Sequence, residues 1–432
     1  MPQILACCSS FLLRQRLKRP RLEAWQTERL RALVAHAYQN VPYYRRLFDS
    51  AGLRPRHIQT LRDLASIPIT TRTDLQSAPA EEVIARGYRL ERLVVHRTSG
   101  STGEPFSIRR TAFEDRLLQA HRLAVLFRLG LRIGDRRAAV VSDRLAGTPL
   151  YARAGILRYD EIHCLAEPAE ILARLRAIRP DMLRGYSGTL AFLAGMMTGE
   201  ERKTIRPRFV TTDSETLTDE MRERIEAGFG ARVFDFYDSH EFNMIASECP
   251  SSGLFHVSET SLIAEVLAEG RAAEPHQQGQ LVGTALHSWA MPFIRFALGD
   301  LVTRGPDRCP CGAPSSILTA VNGRIADRFE LPGGRSVHPY TLVNPLMEHG
   351  PWVRQYQIVQ DRLDRVKVKL APMHGENPPA EGVAAVQQVL RERLGPGIGL
   401  EVELVSQIPA APSGKQRPYL SLVAKAAGLS GD

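Results

Sequence analysis

The chain has 432 residues, enough for one large domain and a smaller one, and its 44% hydrophobic and 24% charged residues are the balance of a soluble globular protein. No apolar run approaches the roughly 20 residues that span a bilayer, and Arg14, Arg16, Lys18 and Arg19 follow the short N-terminal apolar patch, the wrong order for a secretory signal, so a cytoplasmic protein is expected. The net charge of +9 comes from scattered arginines rather than a basic block, which argues against a nucleic-acid reader, and six unevenly placed cysteines argue against a disulfide framework.

Residues 12–48 carry Leu22, Trp25, Leu30, Leu33, Val34 and Ala37 three and four apart, which predicts a helical segment ended by Asn40-Val-Pro-Tyr-Tyr. The stretch 64–75 predicts a loop and a new helix capped near Thr73. A strand-like run, Arg92-Leu-Val-Val-His, and a helical pattern over 114–129 then flank the most informative segment. There Thr98, Ser99, Ser101 and Thr102 supply hydroxyls, and Gly100 and Gly103 let the backbone turn tightly, so successive N–H groups can form a nest for phosphate oxygens. No Gly-Lys-Ser/Thr closes it, so a lysine would have to come from elsewhere. By composition alone the same residues also fit a surface loop.

From 137 to 229 strands and helices alternate: a strand at 137–142, helices at 167–178, 189–197 and 219–229, and a strand from Phe209 into a turn at 211–215. That order predicts an α/β domain with a largely parallel sheet and ligands at the carboxyl ends of its strands. Ser214 and Glu215 in this turn are candidate cofactor-binding residues, and Tyr151, Tyr186, Phe192 and the turn itself are candidates to line a substrate pocket.

A strand ending at Tyr237 leads into a turn that presents Asp238, Ser239, His240 and Glu241. Beyond it, Cys249, His256, Cys309 and Cys311 offer three thiols and an imidazole, which fit either a tetrahedral zinc set or unpaired buried thiols. A closed set of four would be structural, pinning the strand pair around 257–267. Two strands follow, at 279–286 and 291–300, the second closing on Gly299-Asp300. Asn322-Gly-Arg-Ile-Ala-Asp marks a boundary, after which strands at 353–359 and 366–370, a helix at 382–394 and a strand at 400–405 predict a small open sheet with one helix. Lysine is rare in the chain, yet Lys415 sits in a Pro/Gly-bounded loop.

In series, these motifs resemble the adenylate-forming superfamily. Thr-Ser-Gly-Ser-Thr-Gly-Glu-Pro looks like its phosphate loop, Tyr237 to Glu241 its Tyr-Gly-x-x-Glu element, 292–300 its Pro-x-Ile-Arg-Tyr-x-x-Gly-Asp element, 323–327 its hinge, and 411–417 its Ser-Gly-Lys-x-x-Arg element. The Val-Pro-Tyr-Tyr and Ile-Pro-Ile-Thr segments and the Glu-Cys…His…Cys-x-Cys-Gly pattern resemble the phenylacetate–coenzyme A ligase branch and the related capsule-biosynthesis proteins.

The resemblance implies a large N-terminal domain of mixed and parallel sheets, residues 1–322, and a small mobile α+β domain, residues 323–432. It implies ATP-dependent activation of a carboxylic acid through acyl-AMP, then transfer to coenzyme A; an amine or carrier-protein acceptor, or a non-catalytic adenylate binder, are the alternatives. The implied roles are Thr98 to Gly103 for phosphates, Tyr237 for adenine with Asp238 and Ser239 beside it, Glu241 for Mg²⁺, Asp300 for ribose, Arg324 for phosphate or ribose, Lys415 for catalysis, and the Cys/His set for structural Zn²⁺. A monomer or homodimer is expected. Three positions depart from the pattern: Asp238 replaces a glycine, Phe296 a tyrosine and Ala326 the first hinge carboxylate.

Overall fold

The computed structural model describes residues 2–97, 106–142, 156–324, 329–337, 342, 346, 352–372, 378–409 and 419–423. Residues 98–103, Tyr151, Ala326, Asp327 and Lys415 lie outside the described residues, as does the side chain of Arg324. The chain divides into two compact units, Met1–Ile133 with Phe234–Asn322 and Gly134–Val233 with Gly323–Asp432.

The first unit begins with α1 (Pro2–Arg14), α2 (Arg19–Asn40) and α3 (Pro42–Ser50). The predicted single helical run is therefore three helices. Pro42 does not merely end one of them: it stands at the first position of α3, where the missing N–H is no loss and the fixed φ suits a helix start. Leu30, Leu33, Val34 and Ala37 of α2 bury against Tyr44 and Phe48 of α3, and each fully buried leucine contributes roughly 1.5–3 kcal/mol. The next helix, α4 (Arg72–Ser77), is capped by Thr71 rather than Thr73, in a capping box with Asp74. After α5 (Ala80–Val83), the strands β1 (Val94–Arg97) and β2 (Ser107–Arg110) pair antiparallel and lead into α6 (Ala112–Arg128).

The second unit opens with β3 (Arg137–Val141), β4 (Tyr159–His163), α7 (Pro168–Ile178), β5 (Met182–Gly185), α8 (Ser187–Met196), α9 (Gly199–Thr204), β6 (Phe209–Asp213) and α10 (Asp219–Phe229). The strands are parallel in the order β6-β5-β3-β4, as the alternating pattern requires. Thr218 caps α10 and Gly230 ends it in a left-handed conformation.

The chain returns to the first unit with β7 (Arg232–Ser239), β8 (Asn243–Glu248), β9 (Phe255–Val257), β10 (Leu262–Ala268), β11 (Arg271–Ala272), β12 (Gln278–Ala285), β13 (Phe296–Arg304) and β14 (Ile317–Arg324). Their order is β11-β10-β12-β13-β14-β9-β8-β7. The pairings of β10 with β11, of β12 with β10 and β13, of β14 with β9 and of β8 with β7 and β9 are antiparallel, whereas β3 with β4 and β5, and β5 with β6, are parallel, so the sheet is mixed rather than largely parallel. The second unit closes with β15 (Phe329–Leu331), β16 (Arg335–Val337), β17 (Val353–Arg362), β18 (Arg365–Pro372), α11 (Ala380–Leu394), β19 (Gly399–Leu404) and β20 (Tyr419–Ser421). Here β19-β18-β17-β20 form a four-stranded sheet over a core that includes Ile358, Val368, Val386 and Leu390.

Candidate active site

The strand β13 starts at Phe296, five residues later than the sequence pattern suggests, and runs on to Arg304. The reason lies at Arg295, which has a left-handed φ of 50° and sends its guanidinium to Glu265 and to the carbonyls of Ala65 and Ile67. Asp300 is thus inside a strand rather than at its end. The register with β12 slips where Gln280 pairs Leu301 and Val282 pairs Ala297, and Gly299 inside this bulge has a φ of 82°. A bulge of this kind re-aims the neighbouring side chain. The buried Asp300 carboxylate accepts a 2.6 Å hydrogen bond from the Tyr237 hydroxyl, which joins two of the expected nucleotide contacts sixty-three positions apart.

Tyr237 is not the end of its strand either. β7 continues through Asp238 and Ser239, which pair with Met244 and Asn243 after a bulge. The left-handed residue of this hairpin is Asn243, with φ 60°, while Asp238 is not among the positive-φ residues. An aspartate therefore replaces glycine here without backbone strain. Its carboxylate meets Arg122 of α6 at 2.5 Å, and the Arg122 guanidinium also lies over the Phe236 ring. Ser239 Oγ accepts from Phe242 N, and Glu241, 6% exposed, sits in the turn between β7 and β8.

The phosphate-loop candidate is spanned by the β1–β2 hairpin, in register from Val94↔Arg110 to Arg97↔Ser107. Residues 94, 96, 108 and 110 share one face of this pair, so His96 and Arg110 are diagonal neighbours. His96 Nε2 donates to Asp115 at 2.9 Å, Arg110 lies 3.6 Å from the same carboxylate, and Arg110 donates to the carbonyls of His240 and Glu241. Burial lowers the pKa of Arg110, while Asp115, Glu241 and Glu114 oppose that shift. Glu114 closes a capping box with Thr111 and accepts from the N–H groups of Trp289 and Ala290. None of His96, Arg110, Glu114, Asp115 or Arg122 is distinguished as a site residue by motif reading. The Thr-x-x-Glu capping box is the one local signal among them.

In the second unit, Ser214 takes a left-handed φ of 67° and donates to Asp213, whose fully buried carboxylate is held by Arg184. Glu215 accepts from Gly188 N at the start of α8, a favourable place for a carboxylate. Tyr186 is buried and shares a 2.7 Å hydrogen bond with Ser142. Phe192 lies under the Arg354 guanidinium, and Thr211 is fully buried in β6.

The four expected zinc ligands come together: one donor atom from each of Cys249, His256, Cys309 and Cys311 lies within 4.8 Å of every other. Cys309 Sγ is 3.8 Å from Cys249 Sγ, and Cys311 Sγ is 3.3 Å from His256 Nε2. Tetrahedral coordination with bonds of about 2.3 Å requires S···S near 3.8 Å. The second imidazole nitrogen is held by Ser315 at 2.6 Å, the usual means of aiming a metal-binding histidine. Burial holds His256 down to about 4, which leaves it neutral and able to donate its lone pair. Burial alone would raise the Cys249 thiol, yet Ser252, the N–H groups of Ser251 and Ser252, and Cys311 bring it down to about 7. Cys311 is pushed up to about 11 by burial and the neighbouring thiols, a repulsion that a bound dication would relieve. The donor set thus fits zinc. The strands tied together are β9 with β8 and β14, through the Ser247↔His256↔Ile317 pairings, rather than the pair around 257–267.

The CapK C-terminal domain family matches residues 330–420. A phenylacetate–coenzyme A ligase of Thermus thermophilus is 29% identical over 448 residues, covering 94% of this chain and 98% of that protein. Its Escherichia coli counterpart is 26% identical over 81% of this chain and 82% of that one. Among solved structures, 2-hydroxyisobutyryl-CoA ligase in the postadenylation state, in complex with 2-HIB-AMP, superposes with a TM-score of 0.79 at 21% identity, covering 94% of this chain and 91% of that one.

Proposed function

We propose that this relative of the phenylacetate–coenzyme A ligases, built on the fold of the adenylate-forming CoA ligases, is an AMP-forming acid–thiol ligase. The observation that carries the reading is the match to the Thermus ligase over 98% of that protein's length. A carboxylate oxygen of the substrate acid attacks the α-phosphorus of ATP, the bond to the bridging oxygen breaks, and acyl-AMP and pyrophosphate result. The coenzyme A sulfur then attacks the acyl carbon and AMP leaves. Catalysis of this kind is chiefly positioning and stabilisation of charge.

In this reading Tyr237 and Asp300 hold the nucleoside, with the hydroxyl–carboxylate bond fixing the orientation of the aspartate. The loop at 98–103 receives the phosphates, and Asp238 and Ser239 form the adjoining strand end. Ser214 and Glu215 are further candidate cofactor-binding residues, and Arg324 contacts phosphate or ribose. Glu241 would hold Mg²⁺, as a single carboxylate beside phosphate oxygens suits that ion, which supplies neutralisation of phosphate charge when bound. Lys415 steadies the charge on the reacting oxygens and belongs to a small mobile domain, residues 323–432, residues 1–322 forming the large one. The cysteine–histidine set holds structural zinc and leaves no coordination position for water. The protein acts in the bacterial cytoplasm; no described helix is long and apolar enough to cross a membrane.

The alternative for the last step has an amine or a carrier-protein thiol in place of coenzyme A. ATP–pyrophosphate exchange over a panel of aliphatic and aromatic acids, followed by offering each acceptor, separates these cases. Exchange with at least one acid and AMP release on adding coenzyme A are expected. Exchange with AMP release only on adding an amine or carrier would shift the acceptor.

A further inference from the structure

The chain of hydrogen bonds and an ion pair from His96 through Asp115 and Arg110 to the 240–241 carbonyls belongs to no expected nucleotide contact, yet it joins three elements of the candidate site. His96 is on β1 and Arg110 on β2, the two strands that bracket the phosphate-loop candidate. Asp115 is in the first turn of α6, near the helix N-terminus, where a carboxylate is stabilised. The Arg110 guanidinium then reaches the backbone carbonyls of His240 and Glu241, which belong to the two peptides that flank the Glu241 Cα.

The chemistry of this arrangement is unlike that of a plain packing contact. The Arg110 side chain is 5% exposed, the Asp115 side chain 17% and the His96 side chain 32%, so the chain runs from the interior outwards. Among the described residues Arg110 Nε is buried without a hydrogen-bond partner, and a buried ion pair with an unsatisfied donor stabilises a fold less than apolar residues of the same volume would. What a guanidinium does offer is a rigid fork that grips two fixed points at once. Here one of its nitrogens grips two consecutive carbonyls while another faces a carboxylate anchored to the loop's other strand.

We propose that Arg110 is a positioning residue for Glu241: tied to Asp115 and His96, it couples the backbone of the Glu241 turn to both strands of the phosphate loop, and so sets the spacing between the metal-holding carboxylate and the phosphates. This rests on the reading of Glu241 as the Mg²⁺ ligand. Arg110 does not touch the substrate; it acts through Glu241.

The test is ATP–pyrophosphate exchange with an acid the wild type accepts, titrated with Mg²⁺ at fixed ATP, alongside thermal unfolding of each variant. Glu241→Gln raises the Mg²⁺ needed for half-maximal rate. Arg110→Lys, which keeps the charge but loses the fork, raises it about tenfold, the usual effect of losing a residue that orients a metal ligand. The double variant behaves like Glu241→Gln alone, because both changes act on one contact. His96→Gln, at the exposed end, shifts Mg²⁺ demand in the same direction by less, and it carries the test if Arg110→Lys does not fold. An unaltered Mg²⁺ profile in Glu241→Gln would overturn the parent reading and this inference with it. A shifted Glu241→Gln beside Arg110→Lys and His96→Gln that lose only thermal stability, or a double variant in which the effects multiply, would overturn the positioning role alone.

Discussion

Replacing Tyr237 by phenylalanine isolates one atom of the proposed nucleotide site. The ring stays in its core cluster, and the change removes only the hydroxyl that donates to Asp300 at 2.6 Å. Both residues are less than a tenth exposed, so the bond is little screened by solvent. A hydrogen bond to a charged acceptor in such surroundings contributes about 1.5–3 kcal/mol. Tyr237→Phe should therefore lower unfolding stability by about 2 kcal/mol, read from urea denaturation. A carboxylate released from its donor also holds the ribose less firmly, so the apparent KM for ATP should rise about tenfold, equivalent to 1.4 kcal/mol, with a smaller change in kcat. Asp300→Asn should do the same, and the double variant should fall well short of the sum. A Tyr237→Phe protein with reduced stability but an unchanged KM for ATP would refute the reasoning, since the pair would then serve the fold alone.

Four further outcomes follow from named residues. Purified protein should carry about one zinc per chain by elemental analysis, and Cys311→Ser should lose metal and stability together; zinc-free protein that stays folded in chelator would contradict this. Lys415→Ala should slow acyl-AMP formation by ~10²–10³ while leaving the thioester step from supplied acyl-AMP near normal; an equal loss in both half-reactions would argue against alternation of the small domain. Gly299→Ala adds a Cβ where there is space, but at φ 82°, so it should cost roughly 1 kcal/mol of stability and raise the KM for ATP by disturbing the Asp300 bulge. Burial holds His121 down to about 3 and His287 down to about 4, both packed edge-on against Phe11. Each is neutral in the fold and takes up a proton on unfolding below about 6.5, so stability present above that pH is lost as pH falls. The loss is about 1.6 kcal/mol per histidine between pH 6.5 and 5, and His121→Phe should flatten that slope in urea titrations at several pH values.

Elements with local end signals were legible in the sequence. α10 starts after Thr218 and stops before Gly230 as its pattern predicts, and the small sheet and helix of 353–405 follow their apolar spacing. The errors share a physical cause, which is that long-range contacts overrode local pattern. β13 starts late because Arg295 turns aside to Glu265 and the Ala65 and Ile67 carbonyls. Asp238 fits a position that glycine usually holds because the hairpin places its left-handed residue at Asn243 instead. β4, Tyr-Asp-Glu-Ile-His, has too few apolar residues to stand out; its neighbour β3 recruits it. Of the candidate site, the order of motifs was readable. The contacts of His96 with Asp115 and of Arg110 with the 240–241 carbonyls were not, because no spacing rule connects residues 19 to 131 positions apart.

The central claim is that the acid is activated as an adenylate, and a single-turnover reaction without acyl acceptor tests it most directly. Enzyme in excess over ATP is mixed with an accepted acid and Mg²⁺, quenched, and analysed by mass spectrometry. The account predicts acyl-AMP and pyrophosphate in equal amounts, with AMP appearing only once a thiol or other acceptor is added. ADP and phosphate as the products, or ATP left intact with every acid while the nucleotide remains bound, would contradict it.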